Sequence, residues 1–289
     1  MRIKSNRLKH LHEFYHLELD NKFPRDEIDA LFYFAVDHYL GLSRSQAMTN
    51  ENANLNQSEV LNLYDCAKEL SLGKPIQYVL GKAWFYGRSF FTDPSVLIPR
   101  PETEELVELI LRENKNSISI LDIGTGSGCI PVTLAAQLTG SNVSACDLST
   151  AALKTAARNA ELHQVEIRFF QCDVLHPSAD LKDSYGLIVS NPPYILASEK
   201  NTMAPHVVDH EPHLALFAEG NDPIIFYRKI IDLCEKHLKK EGLLYFELNP
   251  LTAVLTLEYA QQSGLFSAAT LIKDLSGKTR FLKAIKKPG

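Results

Sequence analysis

The residues best suited to chemistry form a short loop, Ser190–Tyr194, that follows the apolar run Tyr185–Val189. A continuous apolar run ended by polar residues and two prolines indicates a buried strand that delivers a loop to the edge of a sheet. Proline restricts the backbone and removes its N–H donor, so the loop offers two acceptors, the Asn191 side-chain oxygen and the Pro192 carbonyl. The ring of Tyr194 adds a flat apolar face.

Two acceptors beside an aromatic ring suit a planar NH2 group on an sp2 carbon, either a carboxamide or the exocyclic amine of a base. The lone pair of such a nitrogen is delocalised, and in a peptide bond complete loss of that conjugation costs about 18–20 kcal/mol. Acceptors that bind both N–H groups favour a geometry in which the lone pair turns toward an electrophile. We therefore expect Asn191, Pro192 and Tyr194 to be the catalytic residues of a group transfer to nitrogen.

A second loop, Gly124–Gly128, lies between a strand pattern and a helix pattern and contains three glycines in five residues. Glycines let the backbone approach a ligand closely, and the following helix N-terminus offers free N–H groups to an anion. Asp147 ends the next strand, about 20 residues further on, the step at which an acid binds ribose hydroxyls. Because the spacing is G-x-G-x-G, the dinucleotide pattern G-x-G-x-x-G is not met.

The elements that must position these loops alternate along the second part of the chain. Strands are predicted at 118–123, 142–147, 165–171, 185–190, 243–248, 265–272 and 279–285, and helices at 128–138, 150–163, 223–240 and 251–263. This alternation predicts an α/β fold with an open, mainly parallel, doubly wound sheet. The fourth strand of such a sheet lies beside the first, so the two loops should face one crevice.

The chain before this region has a different pattern. Apolar faces at helical spacing over 25–40 and 58–72 predict that residues 1–75 form a small helical domain. Aromatic and β-branched residues between glycines and prolines predict a β-hairpin linker over 76–99. Residues 100–289 then form the catalytic domain, which begins with a helix that carries Glu102 and Glu104 in its first turn.

Composition narrows the class of protein. A hydrophobic fraction of 45% and a charged fraction of 22% are typical of a soluble globular protein, and the net charge of −5 lacks the basic excess of a nucleic-acid surface. Five scattered cysteines without a C-x-x-C pair indicate reduced thiols rather than a zinc site or a disulfide framework. Neither a signal peptide nor a membrane-spanning run is predicted, so we expect a cytoplasmic protein.

Two sets of histidines have spacings that could suggest metal ligation. They are His206 with His210 and His213, and His12 with His16. Neither set forms an H-E-x-x-H motif, and prolines interrupt the helix that the first set would need. We therefore expect no metal site.

With both loops placed, the chain resembles the class I S-adenosylmethionine-dependent methyltransferases, and within them the protein-(glutamine-N5) methyltransferases of the HemK/PrmC type. The further matching runs are Gly73–Tyr78, Phe85–Gly87, Leu97–Glu104, Glu211–Leu216 and Asp274–Arg280. The run IPRPETE together with NPPY is more specific than either methyltransferase motif alone. The resemblance implies a Rossmann-like methyltransferase domain preceded by a helical domain for substrate recognition.

The resemblance also implies S-adenosyl-L-methionine as methyl donor and the glutamine of the GGQ motif in peptide chain release factors as acceptor. The implied cofactor-binding residues are Gly124, Thr125, Gly126, Ser127, Gly128, Asp147, Asp173, Val174 and Asn191. The implied substrate-binding residues are Asn191, Pro192, Pro193, Tyr194 and Arg100, with Arg100 more an anchor between segments than a catalyst. Release factors are the expected partners of a monomer that binds no nucleic acid directly.

Two positions depart from the family pattern. Val174 stands where the family often has an aromatic residue or leucine, which alters the expected packing of adenine. Glu247-Leu248-Asn249 replaces the usual E-I-G run, and this leaves the role of Glu247 open.

Three other functions share some of these motifs. An adenine N6-methyltransferase also uses an NPPY-type loop, but it must flip out a base and bind a phosphate backbone, against which the acidic balance of the chain argues. A sister enzyme that methylates a glutamine of a ribosomal protein is hardly separable by sequence. The third is a non-catalytic factor that binds S-adenosylmethionine, and the intact Asn191–Tyr194 loop argues against it.

Overall fold

A computed structural model of the chain describes residues 3–114, 116–177, 181, 183–195, 199, 205–217 and 222–289. Its helices are α1 (Leu8–Leu19), α2 (Arg25–Leu40), α3 (Arg44–Thr49), α4 (Gln57–Ser71), α5 (Ile76–Leu80), α6 (Pro101–Glu113), α7 (Cys129–Gln137), α8 (Thr150–Leu162), α9 (Pro205–His210), α10 (His213–Leu216), α11 (Ile225–His237) and α12 (Ala253–Gln262). Its strands are β1 (Lys82–Phe85), β2 (Arg88–Phe91), β3 (Ser119–Ile123), β4 (Asn142–Asp147), β5 (Ile167–Gln171), β6 (Tyr185–Ser190), β7 (Leu238–Glu247), β8 (Phe266–Lys273) and β9 (Thr279–Lys286).

The chain divides into two compact units. The first comprises Met1–Lys82 with Pro205–His210, and the second comprises Ala83–Ala204 with Glu211–Gly289. No helix among the described residues combines the length and the apolar character that crossing a membrane requires. All five cysteines are free and buried, in agreement with the expectation of reduced thiols.

The first unit is helical, as predicted, and the helices expected over 25–40 and 58–72 are present as α2 and α4. Helices α3 and α4 begin with capping boxes, in which Ser43 pairs with Gln46 and Asn56 pairs with Glu59. Apolar side chains of α1, α2 and α4 form the core of the unit. Helices α1 and α3 were not predicted, because α1 mixes histidines into its apolar pattern and α3 has only six residues.

A β-hairpin within 76–99 was predicted, and β1 and β2 form it. Tyr86 and Gly87 both have positive φ, 50° and 70°, as a two-residue turn of type I′ requires. Tyr86 also donates its backbone N–H to Glu104 over 2.9 Å and its hydroxyl to Glu108 over 2.5 Å, which fastens the turn to α6. The linker is not a hairpin throughout, because Ile76–Leu80 forms the helix α5.

The second unit contains a seven-stranded sheet in the order β5-β4-β3-β6-β7-β9-β8. Strands β3 to β7 run parallel to one another, and β9 runs antiparallel to both β7 and β8. The prediction of an open, mainly parallel, doubly wound sheet is confirmed. The helix predicted over 223–240 ends earlier, at His237, because β7 begins at Leu238.

The register of β3 and β6 brings the two predicted loops together. Ile123 and Ser190, the last residues of these strands, are direct partners across the parallel pair. The Ser190 hydroxyl donates to the Ile123 carbonyl over 2.6 Å. A Cβ atom added to Gly124 would lie 4.0 Å from the Asn191 carbonyl oxygen. The glycine loop and the Asn191 loop therefore leave the sheet side by side, as predicted.

Candidate active site

The carboxyl ends of the parallel strands border a cavity of about 450 Å³. The predicted site residues that line this cavity are Arg100, Gly124, Thr125, Gly126, Ser127, Asp147, Asp173, Val174, Asn191, Pro192 and Pro193. Two predicted residues, Gly128 and Tyr194, are not in its lining. The structure thus brings together in one cavity residues that are separated by up to 93 positions in the sequence, counted from Arg100 to Pro193.

The glycine loop is tied to the end of β4. Gly124 donates its N–H to the Cys146 carbonyl over 2.9 Å, and Gly126 donates its N–H to Asp147 Oδ2 over 2.9 Å. Gly128 caps α7 with a φ of 79°, and a Cβ atom there would lie 3.0 Å from the Cβ of Ala156. Gly128 therefore allows the close packing of α7 on α8.

Each oxygen of the Asp147 carboxylate already accepts one hydrogen bond from a backbone N–H group. Its Oδ2 accepts from Gly126, and its Oδ1 accepts from the Ser149 N–H over 2.9 Å. Burial raises the pKa of this carboxyl, while the backbone donors act in the opposite direction. Each carboxylate oxygen has a further lone pair, so Asp147 can still accept hydrogen bonds from a pair of hydroxyls.

Polar groups at the start of the glycine loop lack partners. Asp122 is fully buried, and within the described part of the chain neither of its carboxyl oxygens has a hydrogen-bond partner. The Thr125 hydroxyl, which is near enough to lower the pKa of Asp122, is also buried without a partner at hydrogen-bonding geometry. Burial nevertheless raises the pKa of Asp122 to about 7. Such groups are costly to leave unpaired. Thr125 is among the residues that line the cavity, and Asp122 is not.

Asp173 and Val174 follow β5 on another wall of the cavity. The Asp173 carboxylate accepts from the Leu175 N–H over 2.9 Å and pairs with His176 Nδ1 over 3.0 Å. Burial acts to raise the pKa of Asp173, but the hydrogen bonds of His176 and Leu175 outweigh it and lower the pKa. Val174 packs against the core and offers the cavity a small apolar surface.

Asn191 is held by a chain of hydrogen bonds that fixes which way its amide faces. The Thr103 hydroxyl donates to Glu247 Oε2 over 2.7 Å, so it has only a lone pair to offer Asn191. Asn191 Nδ2 accordingly donates to Thr103 Oγ1 over 3.3 Å. Because the NH2 group is used in this way, the amide oxygen is left to meet a donor in the cavity that Asn191 lines.

Glu247 anchors this chain from inside the protein, where only 1% of its surface is exposed. Burial raises the pKa of Glu247, and hydrogen bonds from Thr103 and Tyr194 and the charge of Arg280 oppose that rise. The Tyr194 hydroxyl donates to Glu247 Oε1 over 3.1 Å. The structure therefore gives Glu247 a place beneath the Asn191 loop, where the sequence had left its role open.

Tyr194 is placed differently from the prediction of an aromatic face for the substrate. Its hydroxyl is bonded to Glu247, and its ring packs against the hydrophobic core of the sheet. Its carbonyl accepts from Asn249 Nδ2 over 3.1 Å, so a residue that departs from the family pattern helps to hold the loop. Burial raises the pKa of Tyr194 far above its usual value.

Arg100 lines the cavity, but its guanidinium group forms an ion pair with Glu211. Its guanidinium donates to Glu211 Oε1 over 2.5 Å, and Glu211 Oε2 accepts from the Ile98 N–H over 3.3 Å. The Glu211 side chain is only 1% exposed. Arg100 therefore ties the Leu97–Glu104 run to the segment at Glu211, in keeping with the anchor that was predicted.

Sequence reasoning did not include Thr103 and Glu247 among the site residues. Both lie inside runs that had been noted, IPRPETE and Glu247–Asn249, so a signal was present. Their connection was invisible because 144 positions separate them and only the fold brings them into contact.

Comparison with known proteins identifies two parts of the chain. Residues 102–230 match the model of the methyltransferase small domain, and residues 17–81 match the model of the PrmC N-terminal domain. A release factor glutamine methyltransferase of Flavobacterium psychrophilum is 41% identical over 266 residues, which cover 90% of this chain and 93% of the relative. The protein of the same name from Bacteroides thetaiotaomicron is 38% identical and covers 92% of this chain and 95% of its own length.

Solved structures agree on the fold. A methyltransferase from Pyrococcus furiosus superposes with a TM-score of 0.53 at 18% identity, and covers 71% of this chain and 91% of its own. The hMettl16 catalytic domain, solved in complex with MAT2A 3′UTR hairpin 6, gives a TM-score of 0.51 at 18% identity and covers 83% of this chain and 85% of its own. At this identity the likeness concerns the class I methyltransferase fold alone.

Proposed function

This chain belongs to the family of release factor glutamine methyltransferases, and we propose that it transfers a methyl group from S-adenosyl-L-methionine to N5 of the glutamine in the GGQ motif of release factors. One observation carries the proposal beyond family membership. The amide of Asn191 is oriented by Thr103, beside the glycine loop, so that its oxygen is available to a substrate N–H.

The acceptors of the Asn191 loop fit a carboxamide. Asn191 Oδ1 and the Pro192 carbonyl would accept the two N–H groups of the substrate amide, which disfavours the planar, conjugated state of its nitrogen. Pro192 and Pro193 keep the loop in place without competing donors. In this proposal Tyr194 contributes as a buried support that packs beneath the loop and bonds Glu247.

The residues of the glycine-loop side fit S-adenosyl-L-methionine. Asp147 can accept from the two ribose hydroxyls, and the glycine loop, which lines the cavity from Gly124 to Ser127, would border the methionine part. Asp173 and Val174 would border the adenine. When bound, this donor supplies an electrophilic methyl group on a sulfonium sulfur.

The proposed reaction requires the protein mainly to position the reacting atoms. A bond forms between the amide nitrogen and the methyl carbon as the carbon–sulfur bond breaks, and one N–H proton leaves the nitrogen for water or a nearby carbonyl. The N-methylated amide is strongly acidic before that loss, so no dedicated base is needed. Asn191 and Pro192 hold the nitrogen at the short approach, about 3–3.5 Å, that such a displacement requires.

The first unit is proposed to recognise the release factor, in line with its match to the PrmC N-terminal domain model. We propose that the enzyme acts as a monomer, in the cytoplasm, without direct binding of nucleic acid. The net charge of −5 supports the last point, because a phosphate backbone is bound through an excess of basic side chains.

Transfer of labelled methyl from S-adenosyl-L-methionine to a purified release factor tests the proposal. The matched substrates are the same factor with its GGQ glutamine replaced, a ribosomal-protein substrate and duplex DNA. We expect label on the intact factor alone, located on the glutamine side chain by peptide mass spectrometry.

The other results would each contradict the proposal in a recognisable way. Label on DNA would indicate an adenine methyltransferase, and label on the ribosomal protein alone would indicate the sister activity. Label on the factor that survives replacement of the glutamine would move the acceptor elsewhere. Binding of S-adenosyl-L-methionine without any transfer would indicate a non-catalytic factor.

A further inference from the structure

Two histidines and an aspartate converge on one point of the first unit, far along the sequence from the residues of the active site. His12 and His16 stand one turn apart on α1, so their side chains share a face of the helix. Asp29 lies in the second turn of α2. The Nε2 atoms of His12 and His16 lie 2.6 Å and 2.8 Å from Asp29 Oδ1.

We propose that His12, His16 and Asp29 form a binding site for a divalent transition-metal ion, of which Zn²⁺ is the representative. Their three candidate ligand atoms lie within 4.8 Å of one another. Zinc bonds of about 2.0–2.2 Å in a tetrahedron place neighbouring ligand atoms about 3.3 Å apart. The Nε2 atoms of His16 and His12 would therefore move about 0.5 Å and 0.7 Å away from Asp29 Oδ1 to admit the ion, and the metal would replace their hydrogen bonds to that oxygen.

The donor set decides the class of metal. Two imidazoles and one carboxylate suit Zn²⁺, Ni²⁺ or Cu²⁺, whereas Mg²⁺ and Ca²⁺ prefer oxygen ligands alone. One oxygen of the Asp29 carboxylate already faces the Nε2 atoms of both imidazoles.

The surroundings hold the ligands in place and leave room for a fourth. The His12 ring stacks on Phe32 with centroids 4.5 Å apart and lies 5.5 Å from the ring of Tyr33, which limits its rotation. The side chains of His12, His16 and Asp29 are 29%, 28% and 32% exposed, so water can complete the coordination. Three protein ligands with an open position are typical of accessible zinc sites.

The sequence predicted no metal site because the pair at 12 and 16 does not form an H-E-x-x-H motif. The third candidate ligand, Asp29, comes from the neighbouring helix and meets the pair only in the folded unit. A bound ion would link α1 to α2, both of which contribute to the same hydrophobic core, and would thereby stabilise the first unit.

Equilibrium dialysis of the full-length protein against Zn²⁺, with the bound metal counted, tests the proposal. We expect one ion per wild-type chain, and an affinity reduced at least tenfold in His16→Ala and in Asp29→Asn. Asp29→Asn keeps the size of the side chain and one acceptor oxygen, so weaker zinc binding by this variant would reflect loss of the carboxylate ligand and not unfolding. His38→Ala, which removes an exposed histidine of the same unit, should bind as the wild type does.

Thermal unfolding supplies an independent readout. Zn²⁺ should raise the Tm of the wild type and of His38→Ala but not that of the two cluster variants. The proposal would be overturned if the wild type took up no stoichiometric zinc, in which case the three residues form only a hydrogen-bonded link between helices. Equal affinity of wild type and cluster variants would also overturn it, since zinc would then bind elsewhere.

Discussion

The two sides of the cavity satisfy their polar groups in opposite ways. On the Asn191 side, Thr103, Glu247 and Tyr194 are joined in one chain of hydrogen bonds that is complete within the protein. On the glycine-loop side, Thr125, which lines the cavity, and Asp122, which does not, are buried with polar atoms that no described residue pairs. The difference indicates that contacts within the protein alone fix the Asn191 side, whereas the start of the glycine loop keeps buried polar atoms unpaired.

The largest effect is expected at Asp122, in the way the free energy of unfolding depends on pH. The pKa of Asp122 is about 7 in the folded protein, above the ordinary value of about 3.9 for an unfolded chain. The folded state therefore holds an extra proton between these values, and the free energy of unfolding should fall as pH rises from about 4 to 7. The three-unit difference corresponds to about 4 kcal/mol.

Chemical unfolding of the wild type and of Asp122→Asn at several pH values measures this contribution. The asparagine variant should lose most of the fall in stability across the range, because its side chain does not titrate. If the two proteins showed the same slope, Asp122 would be paired in solution and the contrast between the two sides would not hold.

The next largest effect is expected on kcat, from substitution of Asn191 on the side of the cavity whose polar groups are paired. Asn191→Ala should lower kcat by about 10²–10³, as removal of one preorganised hydrogen-bonding group does in other enzymes. Binding of S-adenosyl-L-methionine, measured by calorimetry, should change little, since the glycine loop is intact. Asn142→Ala, at an exposed position, serves as the matched control. Unchanged turnover in Asn191→Ala would remove this residue from the proposed mechanism.

A smaller loss is expected when the support of Asn191 is removed. A hydrogen bond to a charged group contributes about 1.5–3 kcal/mol, so Thr103→Val should lower kcat by about 10- to 100-fold. Thr103→Ser keeps the hydroxyl and should restore most of the activity. The KM for S-adenosyl-L-methionine should stay close to that of the wild type in both variants, whereas a general loss of structure would raise it.

The hydrogen bonds that hold Asn191 should depend on pH, because they include the Glu247 carboxylate. The charged carboxylate accepts the hydrogen of Thr103, while a protonated one can donate and so release Thr103 to present its hydrogen to Asn191. Because burial raises the pKa of Glu247, kcat should fall as the pH drops through that raised value. Glu247→Gln should lower kcat and lose this acid limb, and a variant that kept the wild-type profile would show that another group titrates.

The smallest effect is expected at Asp147, which the backbone already holds. Asp147→Asn keeps the shape of the side chain but weakens its acceptance of ribose hydroxyls, so the Kd for S-adenosyl-L-methionine should rise about tenfold. Turnover at saturating donor should change by less than the Kd does. A large fall in kcat with an unchanged Kd would mean that Asp147 acts on the acceptor side instead.

Much of the fold followed from local patterns. The alternation of strands and helices, the glycine loop and the apolar run before Asn191 were each readable over short stretches, because helix and strand periodicity is a local property. The unpredicted elements are short or mixed in pattern, such as α3 and α5. The early start of β7 at Leu238 was missed because Lys239 and Lys240 follow the helix without an apolar run.

The candidate site was predictable to the extent that its residues end neighbouring strands. Asn191 and Gly124 could be placed together from the strand order of a doubly wound sheet. The orientation of the Asn191 amide could not be inferred, because it depends on Thr103 and Glu247, which come from two other segments. The same holds for Tyr194, whose aromatic ring was expected to face the substrate and instead packs on the core.

The sequence by itself thus determined the class of fold, the family and the two loops proposed to carry the chemistry, since each depends on residues close together in the chain. Only the tertiary structure decided which polar groups are paired, which way Asn191 faces, and that Asp29 meets His12 and His16. Hydrogen bonds and ligand sets form between side chains a few ångströms apart, and in a folded chain that distance bears no fixed relation to separation in sequence.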